Sequence, residues 1–563
     1  MKSLCRQLHW IANFTLLIVA LVVYITPGYC YDQSRPFSRF IQETKQKKNH
    51  YLNVLNLGDD ALLARIHLIR YAQKSINIQT FHWDIDETSR YFIYELIEAA
   101  KRGVQVKIIV DCNTLPKAPK LYAFIAAAHP NFRIKVYNPL TEKIRNPKAI
   151  LAIEALMDFR SVNQRMHNKL FIIDGEIGIT GGRNYANDYY DRGKQRNFRD
   201  CDLLIIGPVV NQMTNSFLEY WEHPLVVDSR DMLDVRKLID NKDYPEYKDR
   251  DSFQLRNSFD DIDRCALDEE CIKSKFIDHH YMVKQIDFFA DQPGKIEKLG
   301  KDKVSRTTYE LSKLIQSAKK SIVMQTPYLV IGRENNKFYK NLRKDNPDIE
   351  ILVSSNSLAA ADHTHAYAFS YKNKKKYIKN FRWQIFELKP SPKDADKMIS
   401  PVTGDSRSED YHVCIHAKSY VVDQEKVWVG SFNLDPRSAN LNTEVGVIIY
   451  DAQVAQVIEQ DIRRDMANHN SWTIAKRRNV PIGSFVGEAL GTVVDSVPIV
   501  KVWPFTYSGS YELREGKEAV SIFHDDFYNH YKYVGPFPGV QGTGKEIEAR
   551  LLKAFFGPIE PLI

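Results

Sequence analysis

A chain of 563 residues is long enough for two ordinary domains with additions. Its hydrophobic and charged fractions, 44% and 26%, exclude wholesale disorder and a multi-span membrane protein. The formal net charge of +8 suits an anionic partner without choosing between phospholipid headgroups and nucleic acid.

At the N-terminus, Lys2 and Arg6 precede an apolar run from Trp10 to Thr26, ended by Pro27-Gly28. This run is short for a transmembrane helix and long for a signal-peptide core. Residues 1–31 read as an uncleaved signal anchor, with a signal peptide as the alternative, because Gly28-Tyr29-Cys30 makes a poor cleavage site. Lys2 and Arg6 on one side face Arg35 and Arg39 on the other, so charge does not orient the segment. The expectation is an anchored protein whose body is extracytoplasmic. Cys265 and Cys271 are candidates to pair in an oxidising compartment, or else free thiols; no cysteine spacing looks like a zinc site.

From residue 50 to 225 the pattern alternates strand and helix. Ile76–Thr80 is a β-rich run, and a helix follows from about Ser89 with Phe92, Leu96, Ile97 and Ala100 on one face. Gly103 is placed to end it before a strand over Val104–Val110. His167 and Lys169, two apart, project from one face of a strand that continues through Leu170–Ile173. Asp174-Gly175 is a turn signal before the returning strand Ile177–Thr180. Then come Gly181-Gly182-Arg183-Asn184, and Asp200 ahead of Leu203–Ile206. Residues 226–303 read as a charged linker or insertion in which Phe288-Phe289 must dock.

Residues 304–465 repeat the first unit. Ala318-Lys319-Lys320-Ser321-Ile322 echoes Ala72-Gln73-Lys74-Ser75-Ile76, and Asn356 after Glu350–Val353 echoes Asn113 after Lys107–Val110. His416, Lys418 and Asp423 repeat His167, Lys169 and Asp174, followed by Gly430-Ser431-Phe432-Asn433 and by Glu444 before Val445–Ile449. The offset between halves stays within a few residues across these anchors, which chance would not hold. The fold class expected is therefore α/β: two tandem α/β sandwich domains related by a pseudo-twofold axis. The tail, 466–563, ends in a short amphipathic helix with Ile547, Leu551, Leu552 and Phe555 aligned, packed on the body or, second, touching a membrane.

One His, one Lys and one Asn per half suit phosphodiester chemistry without a metal. Across a pseudo-twofold axis one imidazole attacks phosphorus while the other protonates the leaving alcohol, and the roles reverse in the second step. Lys169, Lys418, Asn184 and Asn433, with Ser431, are the candidates to bind the non-bridging oxygens. Asp200 and Glu444 are the candidates to orient the imidazoles, against the plainer reading of strand-edge carboxylates. Asp174 and Asp423 complete the catalytic pattern, but their spacing sends them away from the His-Lys side or into the turn. A lone His-x-Lys-x4-Asp is usually a surface strand; two in register, with matching Asn turns, are not.

Asn163 to Lys169 with Gly181 to Tyr185, and Gly430 to Ser438 with Leu441 to Glu444, resemble the phospholipase D superfamily over about residues 50–465. In detail these stretches, and Asn356 to Ala360 with Asp362, resemble bacterial cardiolipin synthases, especially the cardiolipin synthase C branch. The resemblance implies metal-independent phosphatidyl transfer through a phosphohistidine on His167, with His416 as general acid and then base, and no cofactor. It implies phospholipid substrates, while the N-terminal apolar segment and the long tail depart from the branch's pattern. The bacterial inner-membrane setting is expected from the N-terminal anchor, an anionic membrane surface is the expected partner, one chain supplying both halves needs no obligatory protein partner, and nucleic acid is not expected. Tyr371-Lys372-Asn373-Lys374-Lys375-Lys376-Tyr377, with Lys379, Phe381, Arg382 and Trp383, suits such a surface, rings at headgroup depth and lysines on phosphates; a solvated helix face explains it equally well. Competing readings are a hydrolytic phospholipase D, a nuclease of the same superfamily, and an inactive headgroup-binding scaffold, which two intact His-Lys pairs disfavour.

Overall fold

The computed structural model describes residues 36–145, 162–246, 249–255, 259–298, 304–401, 408, 411–478, 507–541 and 547. Two mixed sheets dominate. The first orders its nine described strands as Tyr281–Val283, His50–Leu55, Asp202–Ile206, Ile177–Gly181, Leu170–Ile173, Ser75–Thr80, Gln105–Asp111, Phe132–Tyr137 and Val226–Asp228. The second runs Ile286–Ala290, Val445–Tyr450, Lys426–Gly430, Ser419–Val422, Ser321–Gln325, Glu350–Asn356, Gln384–Leu388, Ser471–Lys476, Ser508–Leu513 and Tyr531–Gly535. From His50–Leu55 and from Ile286–Ala290 onward the two orders correspond strand by strand. In each, only the three strands joined by helical crossovers pair in parallel. The duplication is thus a duplication of topology.

The strands read as unbroken apolar runs because both faces of each sheet are covered. Leu170 and Ile172 face one core while Phe171 and Ile173 face another, and Val427 and Val429 alternate likewise with Trp428. The inward faces of both sheets share a single core, filled by the helices Val209–Trp221 and Ala452–Asp465 through Met213, Phe217, Ile458 and Ile462. Burying such a side chain stabilises by roughly 1.5–3 kcal/mol, so this shared core welds the halves together.

Local signals act where they stand. The first crossover helix runs Glu87–Lys101, two residues earlier than its apolar face suggests, because the Asp86 carboxylate accepts from the Ser89 N–H at 3.0 Å and caps it. Gly103, at φ +99°, takes the chain out of that helix.

The charged stretch 226–303 carries strands of both sheets. Val226–Asp228 and Tyr281–Val283 edge the first, and Ile286–Ala290, with Phe288 and Phe289 buried, edges the second. Cys265 and Cys271 are bonded to each other there, with their Cα atoms 5.4 Å apart. In the tail, three strands extend the second sheet. The amphipathic helix expected there lies outside the described residues except Ile547, which is buried against Tyr367, Tyr371 and Phe537.

Two expectations are corrected. No helix among the described residues is long and apolar enough to cross a membrane, so location in a bacterial inner membrane through an N-terminal anchor has no support. The segment expected to form that anchor, residues 1–31, itself lies outside the described residues. The rings of the basic-aromatic stripe do not reach outward either. Tyr371, Tyr377, Phe381 and Trp383 are core residues around the helix Thr364–Phe381, and of the basic residues Lys372, Lys375, Lys379 and Arg382 are exposed. Lys374 is buried too, paired with Glu387 at 2.5 Å.

Candidate active site

The halves join through short parallel pairings that set the site. His412–Ile415 runs alongside Arg196–Arg199, with Ile415 opposite Arg199. The next residues, His416 and Asp200, therefore fall side by side, and the His416 N–H donates to the Arg199 carbonyl at 2.8 Å. The counterpart is a bridge between Met166 and Thr443, and the His167 N–H donates to the Thr443 carbonyl at 2.9 Å. His167 therefore falls beside Glu444.

Each imidazole is consequently held by the carboxylate of the other half. His167 Nδ1 lies 2.8 Å from Glu444 Oε2, and His416 Nδ1 lies 2.6 Å from Asp200 Oδ2. A carboxylate accepts only, so Nδ1 carries the proton and Nε2 keeps its lone pair. Neither Nε2 has a hydrogen-bond partner among the described residues. His167 and Lys169 occupy the extended segment just before the strand Leu170–Ile173, rather than the strand itself.

Electrostatics follow from burial. His167 and His416 are each 6% exposed. Desolvation pulls both imidazoles down to about 4, against the pull of the paired carboxylates, so both are neutral at pH 7. Burial would raise Asp200 and Glu444, but the neighbouring histidines and lysines hold both below their ordinary values, and both are ionised. Lys169 falls to about 7 through burial and the charge of Lys418, and Lys418 to about 8 through burial. Lys169 Nζ donates to the His167 carbonyl at 3.0 Å, and Lys418 Nζ to the His416 carbonyl. Two neutral bases with free lone pairs and two cations near their titration point share one buried site.

The carboxylates are held from behind, in different ways. Asp200 packs against Gly182, where a Cβ would clash with its oxygens. We expect Gly182→Ala to displace Asp200 and lower kcat about 10- to 100-fold, since a shift near 1 Å in catalytic groups costs about that much. Steady-state kinetics beside a circular-dichroism melt would check it, and unchanged kcat would show that Asp200 tolerates displacement. Glu444 accepts from Ser431 Oγ at 2.5 Å and from Ser438 Oγ at 2.7 Å. The Ser431 hydroxyl, expected at the substrate, is therefore committed to Glu444, and it also accepts from the Val445 N–H at 3.0 Å. Behind this, buried Lys295 donates to Asp291, Ser438 O and Asn442 O, while the Asp291 N–H donates to the Glu444 carbonyl at 2.9 Å. Asp291 and Lys295, in the charged stretch, gave no sign of this in the sequence.

Asn184 and Asn433 are buried. Asn184 Oδ1 accepts from the His82 N–H at 3.2 Å and so fixes the loop carrying Phe81, whose ring stands edge-on to His167 at 4.9 Å. Asn433 Oδ1 has no partner among the described residues. Tyr189 and Phe198 flank His416, with centroids at 5.0 and 5.1 Å. These aromatics escaped the sequence reading because no motif spacing marks them.

Asp174 and Asp423 do not join the histidines. Asp174, at φ +56°, accepts from the N–H groups of Gln73, Lys74 and Ser75, at 3.0, 2.6 and 2.9 Å. Asp423 accepts from Lys319, Lys320 and Ser321 in the same way. That explains the repeated Lys-Ser-Ile stretches: each is the start of the strand that its half's aspartate ties down. No group of three or more His, Cys, Asp or Glu among the described residues is arranged to hold a metal ion.

Comparison with known proteins agrees with the duplicated fold. The family described as cardiolipin synthase, PLD-like domain, matches residues 65–221 and 311–466. Cardiolipin synthase C of Escherichia coli is 30% identical over 409 residues, covering 71% of this chain and 81% of that protein. An uncharacterized protein of Helicobacter pylori is 30% identical over 457 residues, covering 80% of this chain and 86% of that one. A cardiolipin synthase of Staphylococcus aureus is 24% identical over 429 residues, covering 76% and 69%. Each matched stretch carries one His-Lys pair and one of the crossed carboxylates, and the chain belongs to the phospholipase D-like family of the cardiolipin synthases.

Proposed function

We propose that this protein is a phosphatidyltransferase that forms cardiolipin, or a related diphospholipid, by two-step, metal-independent transesterification through a phosphohistidine. The observation that carries the reading is the crossed pair of buried, neutral imidazoles, each with Nδ1 tied to a carboxylate and Nε2 without a partner among the described residues. His167 Nε2 attacks the donor phosphorus; the P–N bond forms as the bond to the leaving alcohol oxygen breaks, and His416 Nε2–H gives that oxygen its proton. The entering phosphodiester brings negative charge that favours the protonated His416, and ionised Asp200 steadies it. An acceptor hydroxyl then gives its proton to His416 as its oxygen bonds phosphorus. The P–N bond breaks and its electron pair returns to His167. Lys169 and Lys418 offset the charge on the non-bridging oxygens.

The substrates of this reading are phospholipids at an anionic membrane surface, and the exposed Lys372, Lys375, Lys379 and Arg382 supply basic groups for it. The test is lipid analysis of a cardiolipin-deficient bacterial strain expressing the wild type beside His167→Ala and His416→Ala. Cardiolipin from the wild type alone is the expected result. Phosphatidic acid rising without cardiolipin would make water the acceptor and the protein a hydrolytic phospholipase D.

A further inference from the structure

The loop Ser357–Asp362 is not used by the phosphoryl-transfer residues, yet its root is tied to them. Asn356 Nδ2 donates to the Ile415 carbonyl at 2.8 Å, and the Ile415 N–H donates to Asn356 Oδ1 at 2.7 Å, one residue before His416. At the loop's end the Asp362 side chain is 7% exposed. Its Oδ2 accepts from the Tyr328 hydroxyl at 2.9 Å. Its Oδ1 is buried and has no hydrogen-bond partner among the described residues.

The Asn356–Ile415 bonds set the loop that ends in Asp362 against the segment leading into His416. The charge of Asp362 acts on Lys418, on Arg196 and on Tyr189, whose ring flanks His416. The corresponding loop of the first half, Asn113-Thr114-Leu115-Pro116-Lys117-Ala118-Pro119, has no acid. The asymmetry matters because the two sides do different work: the acceptor hydroxyl meets His416. A carboxylate oxygen accepts and does not donate, so an unpaired one on this side of the site suits a second O–H on the acceptor molecule.

We propose that Asp362 Oδ1 accepts a hydrogen bond from the neighbouring hydroxyl of a polyol acceptor and thereby selects glycerol-type alcohols over monohydric alcohols and water. The assignment rests on the transferase reading above. In the second step the reacting hydroxyl passes its proton to His416 Nε2, its oxygen bonds phosphorus, and the bond from phosphorus to His167 breaks with its electron pair returning to the imidazole. The adjacent hydroxyl stays bound to Asp362, which exchanges no proton. Tyr328 is a positioning residue, holding the other carboxylate oxygen so that Oδ1 faces the acceptor.

The experiment uses the full chain with phosphatidylglycerol vesicles and an equimolar mixture of 1,2-propanediol and 1-propanol, with products resolved by mass spectrometry. The wild type is expected to favour phosphatidylpropanediol over phosphatidylpropanol about tenfold, and Asp362→Asn to bring that ratio down about tenfold, since a charge-assisted hydrogen bond to one substrate alone is worth roughly that. The ratio is read within one reaction, so a change in overall rate cancels. A wild type without preference for the diol overturns the assignment even if the variant does not fold, as does a variant that keeps the preference. A wild type forming no ester and no cardiolipin, whether or not phosphatidic acid appears, overturns the transfer reading and this assignment with it. Esters formed without selectivity overturn this assignment alone.

Discussion

Glu444→Gln should block formation of the covalent intermediate, and Asp200→Asn should block its resolution, each lowering turnover about 10³- to 10⁴-fold. The reason is the crossing. Glu444 belongs to the second half but holds His167 of the first, and Asp200 does the reverse for His416. A glutamine amide at 444 can donate to Nδ1, which moves the proton to Nε2 and removes the lone pair that attacks phosphorus. Asparagine at 200 leaves His416 without a charge to balance its imidazolium. A p-nitrophenyl phosphatidyl donor separates the cases, because that leaving group departs with little protonation. Asp200→Asn should give a burst of p-nitrophenol and accumulate phosphoenzyme, while Glu444→Gln should give neither. The opposite assignment of burst and no burst would mean that each carboxylate serves the histidine of its own half.

The second large effect is on pH dependence. In the substrate complex, where the phosphodiester favours protonated His416, the reaction needs His167 neutral and both lysines protonated. Burial pulls His167 down to about 4, so the neutral nucleophile persists in mild acid. Lys169, at about 7, and Lys418, at about 8, lose their charge as pH rises through those values, and the stabilisation of phosphoryl oxygens goes with it. kcat should therefore rise through about pH 4 and fall between about 7 and 8. These limbs belong to the coupled cluster rather than to one residue. Lys169→Arg keeps its charge throughout, so the alkaline limb should move up by about one pH unit even where kcat itself drops. An alkaline limb that stays in place in this variant would assign it to a group other than Lys169.

Much of this molecule is written in local spacing. The period-two placement of Leu170–Ile173, the Asp174-Gly175 turn, Gly103 at the end of its helix and the doubled His-Lys pattern all depend on neighbours a few residues away. So did the expectation that Asp174 and Asp423 sit away from the histidines, where they bind backbone N–H groups instead. The stripe from Tyr371 to Trp383 left two readings open, because an amphipathic helix with buried rings and exposed lysines has the same composition as a membrane-facing one, and the solvated helix face is the one the structure has. Which carboxylate holds which histidine was beyond the sequence. That choice depends on the register between segments more than 200 residues apart. The register is set by the core shared between the two sheets, where Met213, Phe217, Ile458 and Ile462 pack. Asp291 and Lys295 were hidden for the same reason. A buried carboxylate or lysine takes its meaning from what packing brings to it, and only tertiary structure decides that.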